Sequence, residues 1–197
     1  MNKLIVIVGP SGAGKTTLAY ALAAKGDFHL SLEQHAERPF QAPFKQDPRY
    51  ALANQMDYLV ARAQEENQLR NLKIPALMDG GLDLDFHGFT RLFHHHGWLS
   101  DAEFDLCKRF YELTRSLLPL PDLIIAVSAS GPIISQRLAA RNRINIASGE
   151  DAQRLDQYLE EWLMNVPKEK VLKLDLSNEN LNYSKSVETI SQKLKSI

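Results

Sequence analysis

The chain has 197 residues, of which 44% are hydrophobic and 24% are charged, a composition that supports a packed core and excludes a disordered chain. We expect its length to form one domain, spanning residues 1–197. Lys and Arg number 23 against 24 for Asp and Glu, so the net charge of −1 excludes an overall attraction to nucleic acid or to an anionic membrane.

Segments with strand and helix patterns alternate along the sequence. The first is an apolar run at residues 4–8, which a Gly-Pro turn separates from an Ala- and Leu-rich helix at 15–25. The elements that follow are, in chain order, a helix at 48–66, a strand at 76–78, a helix from 85 to a stop at Gly97, a helix at 100–117, a strand at 123–127, a helix from 130 that runs into 141–143, a helix at 151–164, a strand at 171–174 and a helix at 184–194. Ser100 and Glu103 make a capping box at the start of the 100–117 helix. This alternation predicts an α/β fold in three layers, with a central parallel sheet of about five strands and helices on both faces.

No segment of the sequence has the pattern of a membrane span or a secretory signal. The two strongest apolar runs, at 4–8 and 123–127, are far shorter than the about 20 residues that a spanning helix needs. The single cysteine, Cys107, cannot form an internal disulfide. We therefore expect a cytoplasmic protein with neither a membrane nor a nucleic-acid partner.

The turn between the first strand and the first helix has the pattern of a phosphate-binding loop. Its residues 9–16, Gly-Pro-Ser-Gly-Ala-Gly-Lys-Thr, match G-x-x-x-x-G-K-[ST] in full. Backbone N–H groups of such a loop point at phosphate oxygens, Lys15 adds positive charge, and the Thr16 hydroxyl can bind Mg²⁺. A Gly-rich turn that binds no ligand would need neither Lys15 nor Thr16. The motif therefore predicts a P-loop NTPase fold and an ATP site formed by Gly9, Ser11, Gly12, Ala13, Gly14, Lys15, Thr16 and Thr17.

Three further groups of residues with regular spacing lie downstream of the loop. Gln55 and Arg62 stand seven residues apart on one face of a predicted helix, and Asp79 and Asp85 stand six apart after the 76–78 strand. A basic group comes later: Arg137, Arg141 and Arg143. Together with the loop, these residues resemble the deoxyribonucleoside kinase family over nearly the whole chain. The resemblance implies an ATP-dependent phosphotransferase that transfers the γ-phosphoryl group to a hydroxyl of a nucleoside or deoxynucleoside-like acceptor.

The family resemblance also implies a catalytic base. In that family a glutamate just after the second strand takes the proton of the substrate's 5′-hydroxyl, and Glu33, ahead of Arg38-Pro39-Phe40, occupies the similar position. A poor nucleophile needs a carboxylate within hydrogen-bond reach of its proton. Glu37 is an alternative candidate for the same role.

The acceptor residues implied by the resemblance have simpler explanations as well. Gln55 and Arg62 would bind the base, although an exposed polar face of their helix explains each alone. Asp79 would hold Mg²⁺ with Thr16, at the strand end where parallel sheets bind ligands. Asp85 would face the base beside Arg62, or would cap a helix, or both.

The arginines that follow the 123–127 strand match the spacing of the family's lid. Arg137, Arg141 and Arg143 would neutralise charge on the transferring phosphoryl group, with the lid at about 141–150. The alternative is a solvated basic face.

Three positions depart from the family pattern. The arginine that follows the first acid is Gly80 here, the tyrosine near the 3′-hydroxyl falls at Phe44 or Lys45, and its partner glutamate falls at Ile146. We expect a retained base pocket with rebuilt sugar recognition.

Two other functions are compatible with this pattern. One is a kinase for a non-nucleoside hydroxyl, and the other is a nucleotide-binding regulator with little or no transferase activity. Homodimer formation also stays open.

Overall fold

The structure, a computed structural model, describes residues 3–32, 38–139, 149–180 and 182–196. The candidate bases Glu33 and Glu37 lie outside these residues, as do Arg141, Arg143 and Ile146. Most of the predicted lid at 141–150 also lies outside, and its last two residues begin a helix.

The described residues form a five-stranded parallel sheet with the strand order β2-β3-β1-β4-β5. Its strands are β1 (Leu4–Val8), β2 (His29–Ser31), β3 (Ala76–Asp79), β4 (Leu123–Ser128) and β5 (Val171–Asp175). The four strands whose positions the sequence predicted therefore lie within one residue of those positions, and the α/β expectation is confirmed.

Helices surround the sheet. They are α1 (Lys15–Ala23), α2 (Gln41–Gln46), α3 (Ala51–Arg70), α4 (Leu82–Leu84), α5 (Arg91–His95), α6 (Asp101–Leu117), α7 (Gly131–Ala139), α8 (Gly149–Leu163) and α9 (Ser184–Lys195). A π-helix, Asp85–Thr90, joins α4 to α5, and short 3₁₀ helices precede α3 and β5. The predicted capping box of Ser100 and Glu103 opens α6.

The start of α4 corrects one expectation. Asp85 does not cap a helix, because its N–H donates to the Gly81 carbonyl 3.0 Å away and the helical segment begins at Leu82. The two glycines at 80 and 81 end β3, so the chain turns into a helix three residues earlier than expected. Asp85 is thereby left inside the segment, with its side chain available for tertiary contacts.

The sheet separates two apolar layers, which gives the three-layer architecture. Side chains of β1 alternate between its faces, as the pleat of a strand requires. Ile5 and Ile7 belong to the cluster that includes α1 and α9, whereas Leu4 and Val6 belong to the cluster that includes α8. Both clusters are almost fully buried. Among the described residues, no helix is long and apolar enough to cross a membrane.

The carboxyl ends of the inner strands meet at one edge of the sheet. In the register, Ile7 of β1 is opposite Asp79 of β3, and Val8 is opposite Ala126 of β4. The strand order reverses at β1, so this edge has the crevice in which open α/β sheets bind ligands. The loop that follows β1 and the residues that follow β3 therefore share one site.

Candidate active site

The loop between β1 and α1 adopts a backbone that only glycine tolerates at two points. Gly9 has φ 151°, and a Cβ there would lie 2.2 Å from the Val127 carbonyl oxygen. Gly14 has φ 108°, and a Cβ there would lie 2.6 Å from the Tyr183 hydroxyl. The motif glycines thus give the loop its tight path against β4 and the start of α9.

Two cations contact the backbone of this loop. Lys15 Nζ donates to the carbonyl oxygens of Gly9 at 2.9 Å and Pro10 at 3.2 Å. Arg137, on α7, donates to the carbonyl oxygens of Ala13 at 2.8 Å and Leu176 at 3.1 Å. Arg137 therefore braces the loop from outside, and its role in catalysis stays a prediction.

Asp79 and Thr16 form the oxygen pair that a hard cation would bind. Thr16 Oγ1 donates to Asp79 Oδ2 at 2.5 Å. Asp79 is fully buried, and Oδ1 has no hydrogen-bond partner among the described residues. A buried carboxylate oxygen without a partner is unfavourable, and Mg²⁺ prefers oxygen ligands. The pair thus fits a magnesium site.

The three residues that the nucleoside hypothesis assigns to the base lie together in the structure, as that hypothesis requires. We call them the acceptor cluster: Gln55, Arg62 and Asp85. Arg62 Nε donates to Asp85 Oδ2 at 3.1 Å, and Gln55 Nε2 donates to the Asp85 carbonyl at 3.0 Å. All three are buried, with exposures of 2% for Gln55 and 5% for the other two. The alternative of an exposed polar face is therefore wrong, because α4 and the π-helix pack on this side of α3.

Arg62 joins this acceptor cluster to the magnesium pair. A Cβ on Gly80 would lie 3.3 Å from Arg62 Nη2, so the guanidinium lies close beside the place where a side chain at position 80 would begin. Gly80 directly follows Asp79, whose carboxylate accepts the Thr16 hydrogen bond. Gly80 has φ 85°, in the left-handed region that favours glycine, so the departure from the family arginine fits both this backbone and the close guanidinium.

Glu65 is a site residue that the sequence reasoning missed. It accepts a hydrogen bond from Arg62 Nη1 at 2.9 Å and another from the Ser31 hydroxyl at the end of β2. A cleft of about 530 Å³ opens here between β2 and α3, and Arg62, Glu65 and Ser31 line it together with Arg38 and Tyr58. The i, i+3 spacing of Arg62 and Glu65 was the available signal.

A second charged network lies behind the acceptor cluster. Arg115, on α6, donates to both carboxylate oxygens of Asp83, at 2.9 and 3.0 Å, and to both of Glu66, each at 2.8 Å. Tyr111 donates to Asp83 at 2.8 Å, and His87 Nε2 lies 2.9 Å from the Tyr111 hydroxyl. Since Tyr111 gives its one hydrogen to the carboxylate, His87 must donate from Nε2.

The pKa values in this network follow from burial. Burial, with a smaller contribution from Arg91 and Arg115, lowers the pKa of His87 to about 3. Burial and the adjacent Asp83 carboxylate raise the pKa of Tyr111. Both side chains are therefore neutral near pH 7, and the network keeps its hydrogen-bond directions.

Neither described position that could replace the family tyrosine contributes a hydroxyl. Phe44 is buried against Phe93 and Trp98, with ring centroids 4.9 and 5.4 Å apart, and Lys45 is exposed. Phe44 therefore belongs to the core.

The comparisons with known proteins agree with this geometry. The model of the deoxynucleoside kinase family matches residues 5–197. The chain belongs to this family. Deoxyguanosine kinase of Bacillus subtilis (strain 168) is 30% identical over 141 residues, which cover 71% of this chain and 67% of the relative. Deoxyadenosine/deoxycytidine kinase of the same organism is 24% identical over 202 residues, which cover 100% and 93%.

Solved structures of similar fold are kinases as well. The chain is similar to deoxyadenosine kinase from M. mycoides with the products dCMP and a flexible dCDP bound, at a TM-score of 0.82 and 23% identity over 98% of this chain and 100% of that one. The same kinase with bound dATP matches at a TM-score of 0.79 and 23% identity, over 97% and 98% of the two chains. The expected fold and the expected class, a phosphotransferase acting on a hydroxyl group, are confirmed.

Proposed function

We propose that the chain transfers the γ-phosphoryl group of ATP to the 5′-hydroxyl of a deoxynucleoside-like acceptor. One observation carries this proposal: Thr16 bonds Asp79, the Arg62 guanidinium lies close to the adjacent Gly80, and Arg62 pairs with Asp85. The donor loop and the acceptor cluster are therefore neighbours at one edge of the sheet, as direct transfer between two bound substrates requires.

On the donor side, the loop's N–H groups and the N-terminus of α1 bind the phosphates, and Lys15 adds positive charge where charge develops. Thr16 and Asp79 would hold Mg²⁺, which when bound neutralises charge on the β- and γ-phosphate oxygens. Ser11 and Thr17 complete the loop's contacts with the nucleotide, and Arg137 keeps the loop in place.

On the acceptor side, Gln55, Arg62 and Asp85 bind the base. Glu33 accepts the proton of the 5′-hydroxyl. The hydroxyl oxygen then bonds to the γ-phosphorus, and the bond from that phosphorus to the bridging oxygen of ADP breaks. Arg141 and Arg143, in a lid at about 141–150, neutralise the charge of the transferring group. The relatives' names, deoxyguanosine kinase and deoxyadenosine/deoxycytidine kinase, support a deoxynucleoside acceptor.

The test replaces the loop lysine. The wild type, Lys15→Ala and Lys25→Ala are incubated with ATP, Mg²⁺ and each of four deoxynucleosides, and nucleoside monophosphates are quantified. Lys15→Ala should lose about 100-fold or more in rate, since one preorganised charge contributes that much. Lys25, exposed beyond the end of α1, is the matched control and should leave the rate unchanged.

Other outcomes separate the alternatives. Transfer by the wild type only to non-nucleoside alcohols would contradict the acceptor, and tight ATP binding without any transfer would favour a nucleotide-binding regulator. Ordinary efficiency with thymidine, deoxycytidine, deoxyadenosine and deoxyguanosine alike would contradict rebuilt sugar recognition. Full activity of Lys15→Ala would contradict the role of the loop.

A further inference from the structure

A glycine lies where the phosphate loop turns into α1. Gly14 has φ 108°, in the left-handed region, so this position favours glycine. Glycine also has more conformational freedom to lose than any other residue. The N–H groups that follow Gly14, at the start of α1, are those that face the donor phosphates in the proposed function. Tight phosphate binding therefore needs the rest of the protein to hold this glycine in one conformation.

Two side chains lie close beside the place where a side chain at position 14 would begin. A Cβ on Gly14 would lie 2.6 Å from the Tyr183 hydroxyl oxygen, 3.4 Å from the Tyr183 ring carbon Cζ and 3.3 Å from Arg137 Nη1. Arg137 Nη1 also donates to the Ala13 carbonyl at 2.8 Å. Arg137 thus holds a carbonyl group of the loop, and Tyr183 packs against the loop's last glycine.

Tyr183 packs on the loop from a strained backbone conformation. Its φ of 50° and ψ of 36° are left-handed, and among the residues that the structure describes it is the one non-glycine residue with a positive φ. Bulky side chains rarely adopt this conformation, because the Cβ is crowded by the backbone. Strain of this kind persists where the surrounding structure fixes it, and it is concentrated at functional sites.

Local hydrogen bonds hold Tyr183 in this conformation. The side-chain oxygen Oδ1 of Asn180 accepts from the N–H groups of Asn182 and Ser184, each at 3.1 Å. The Tyr183 N–H donates to the Asn180 carbonyl at 3.0 Å. The Tyr183 side chain is 6% exposed and belongs to the buried cluster that includes α1 and α9. The turn that precedes α9 therefore presents a fixed aromatic ring to the loop.

We propose that Tyr183 is a positioning residue for the phosphate donor, because it holds Gly14 and the start of α1 in the conformation that binds the triphosphate. The inference rests on the proposed function, in which the loop binds the phosphates of ATP. Tyr183 packs on the loop and not on the acceptor cluster, so it should affect the donor alone. It acts through backbone N–H groups that face phosphates, so its effect should not depend on the base of the donor.

The first measurement compares two ligands that share the phosphates. ATP and inorganic tripolyphosphate, each with Mg²⁺, are titrated calorimetrically into the wild type, Tyr183→Ala and Tyr20→Ala. Tyr183→Ala frees Gly14, and the Kd of both ligands should rise about tenfold, because binding must then order that residue. Tyr20, on α1 and 56% exposed, is the matched control and should leave both values unchanged. A rise for ATP alone, or for neither ligand, would overturn the inference.

The second measurement separates positioning from stability by steady-state kinetics. In Tyr183→Ala the KM for ATP should rise about tenfold, while kcat and the deoxynucleoside KM stay within about twofold of the wild type. A purely structural role would lower the apparent kcat, through loss of folded enzyme, and would leave the KM for ATP unchanged. That second pattern would overturn the role of Tyr183 in positioning the donor.

A conservative variant tests whether the ring or the hydroxyl is responsible. Tyr183→Phe keeps the ring carbon that packs beside Gly14 and should stay within about threefold of the wild-type Kd for both ligands. A tenfold loss already in Tyr183→Phe would show that the hydroxyl itself binds the donor, and would overturn positioning by packing. If Tyr183→Ala does not fold, Tyr183→Leu fills the buried cluster without reaching Gly14 and should show the same rise. Wild-type protein that binds neither ATP nor tripolyphosphate would instead overturn the proposed function, and this inference with it.

Discussion

Two arginine clusters lie side by side along α3 and differ in what surrounds them. Arg62 joins Asp85 and Glu65 and lines the cleft between β2 and α3. Arg115, on α6, pairs with Asp83 and Glu66, and α6 packs against this side of α3 so that the Glu66 side chain is only 1% exposed. The two clusters have the same chemistry, yet of the two only the Arg62 cluster lines this cleft.

The two clusters take their glutamates from neighbouring positions in the sequence. Glu65 and Glu66 are consecutive on a helix, so their side chains point about 100° apart. One carboxylate faces the cleft and the other faces α6. Clusters of this kind are therefore distinguished by what packs against them, and each of the following experiments is designed to separate function from stability.

The largest effect is expected at Arg115. Arg115→Met would leave Asp83 as a buried carboxylate without its cationic partner and Glu66 paired with Arg70 alone, so the free energy of unfolding should fall by about 3–5 kcal/mol. Urea titration measures it. The control is Arg109→Met, also on α6 but in an exposed pair with Asp105, which should change stability by less than about 1 kcal/mol. A similar small change in both variants would show that the closed cluster does not hold α6 against α3.

An intermediate effect is expected at Arg62, and on activity. Arg62→Lys keeps the charge and loses the planar fork that contacts both Asp85 and Glu65. The nucleoside kcat/KM should fall about 10- to 100-fold, as loss of one charge-assisted hydrogen bond implies, with ATP affinity unchanged. Arg70→Lys, two turns along α3 and paired with Glu66, is the matched control. Equal nucleoside efficiency in both variants would place Arg62 with the structural cluster.

The smallest effect is a pH dependence at His87. Burial lowers the pKa of His87 to about 3 in the folded chain, against 6.5 when it is exposed. Between these values the unfolded chain binds the proton more strongly, so the free energy of unfolding decreases as the pH falls below about 6.5. From pH 7 to pH 5 the decrease should be about 2 kcal/mol.

The His87 prediction has its own variant and control. His87→Asn keeps an N–H donor for Tyr111 and removes the titrating group, so this part of the pH slope should disappear in urea titrations at several pH values. His95→Asn, at an exposed position on α5, should keep the wild-type slope. If the slope survives in His87→Asn, another group causes it.

Much of the fold could be predicted because its signals are local. Apolar runs marked β1, β3, β4 and β5 to within a residue, and Ser100 marked the start of α6 through its capping box. The π-helix at Asp85–Thr90 could not be predicted, because its packing against α3 and α8 depends on residues far away in the sequence.

The phosphate loop was determined by the sequence alone, because a strand, a turn and a helix that are contiguous in the chain form all of it. The acceptor site was only indicated there, through the spacing of Gln55, Arg62 and Asp85. Tertiary structure decided the rest: it buried these three side chains together, brought Arg62 close to Gly80, and brought the Gln55 amide within hydrogen-bond distance of Thr90. These contacts join residues 18 to 35 positions apart, and spacing along one chain does not reveal which distant groups meet when helices pack.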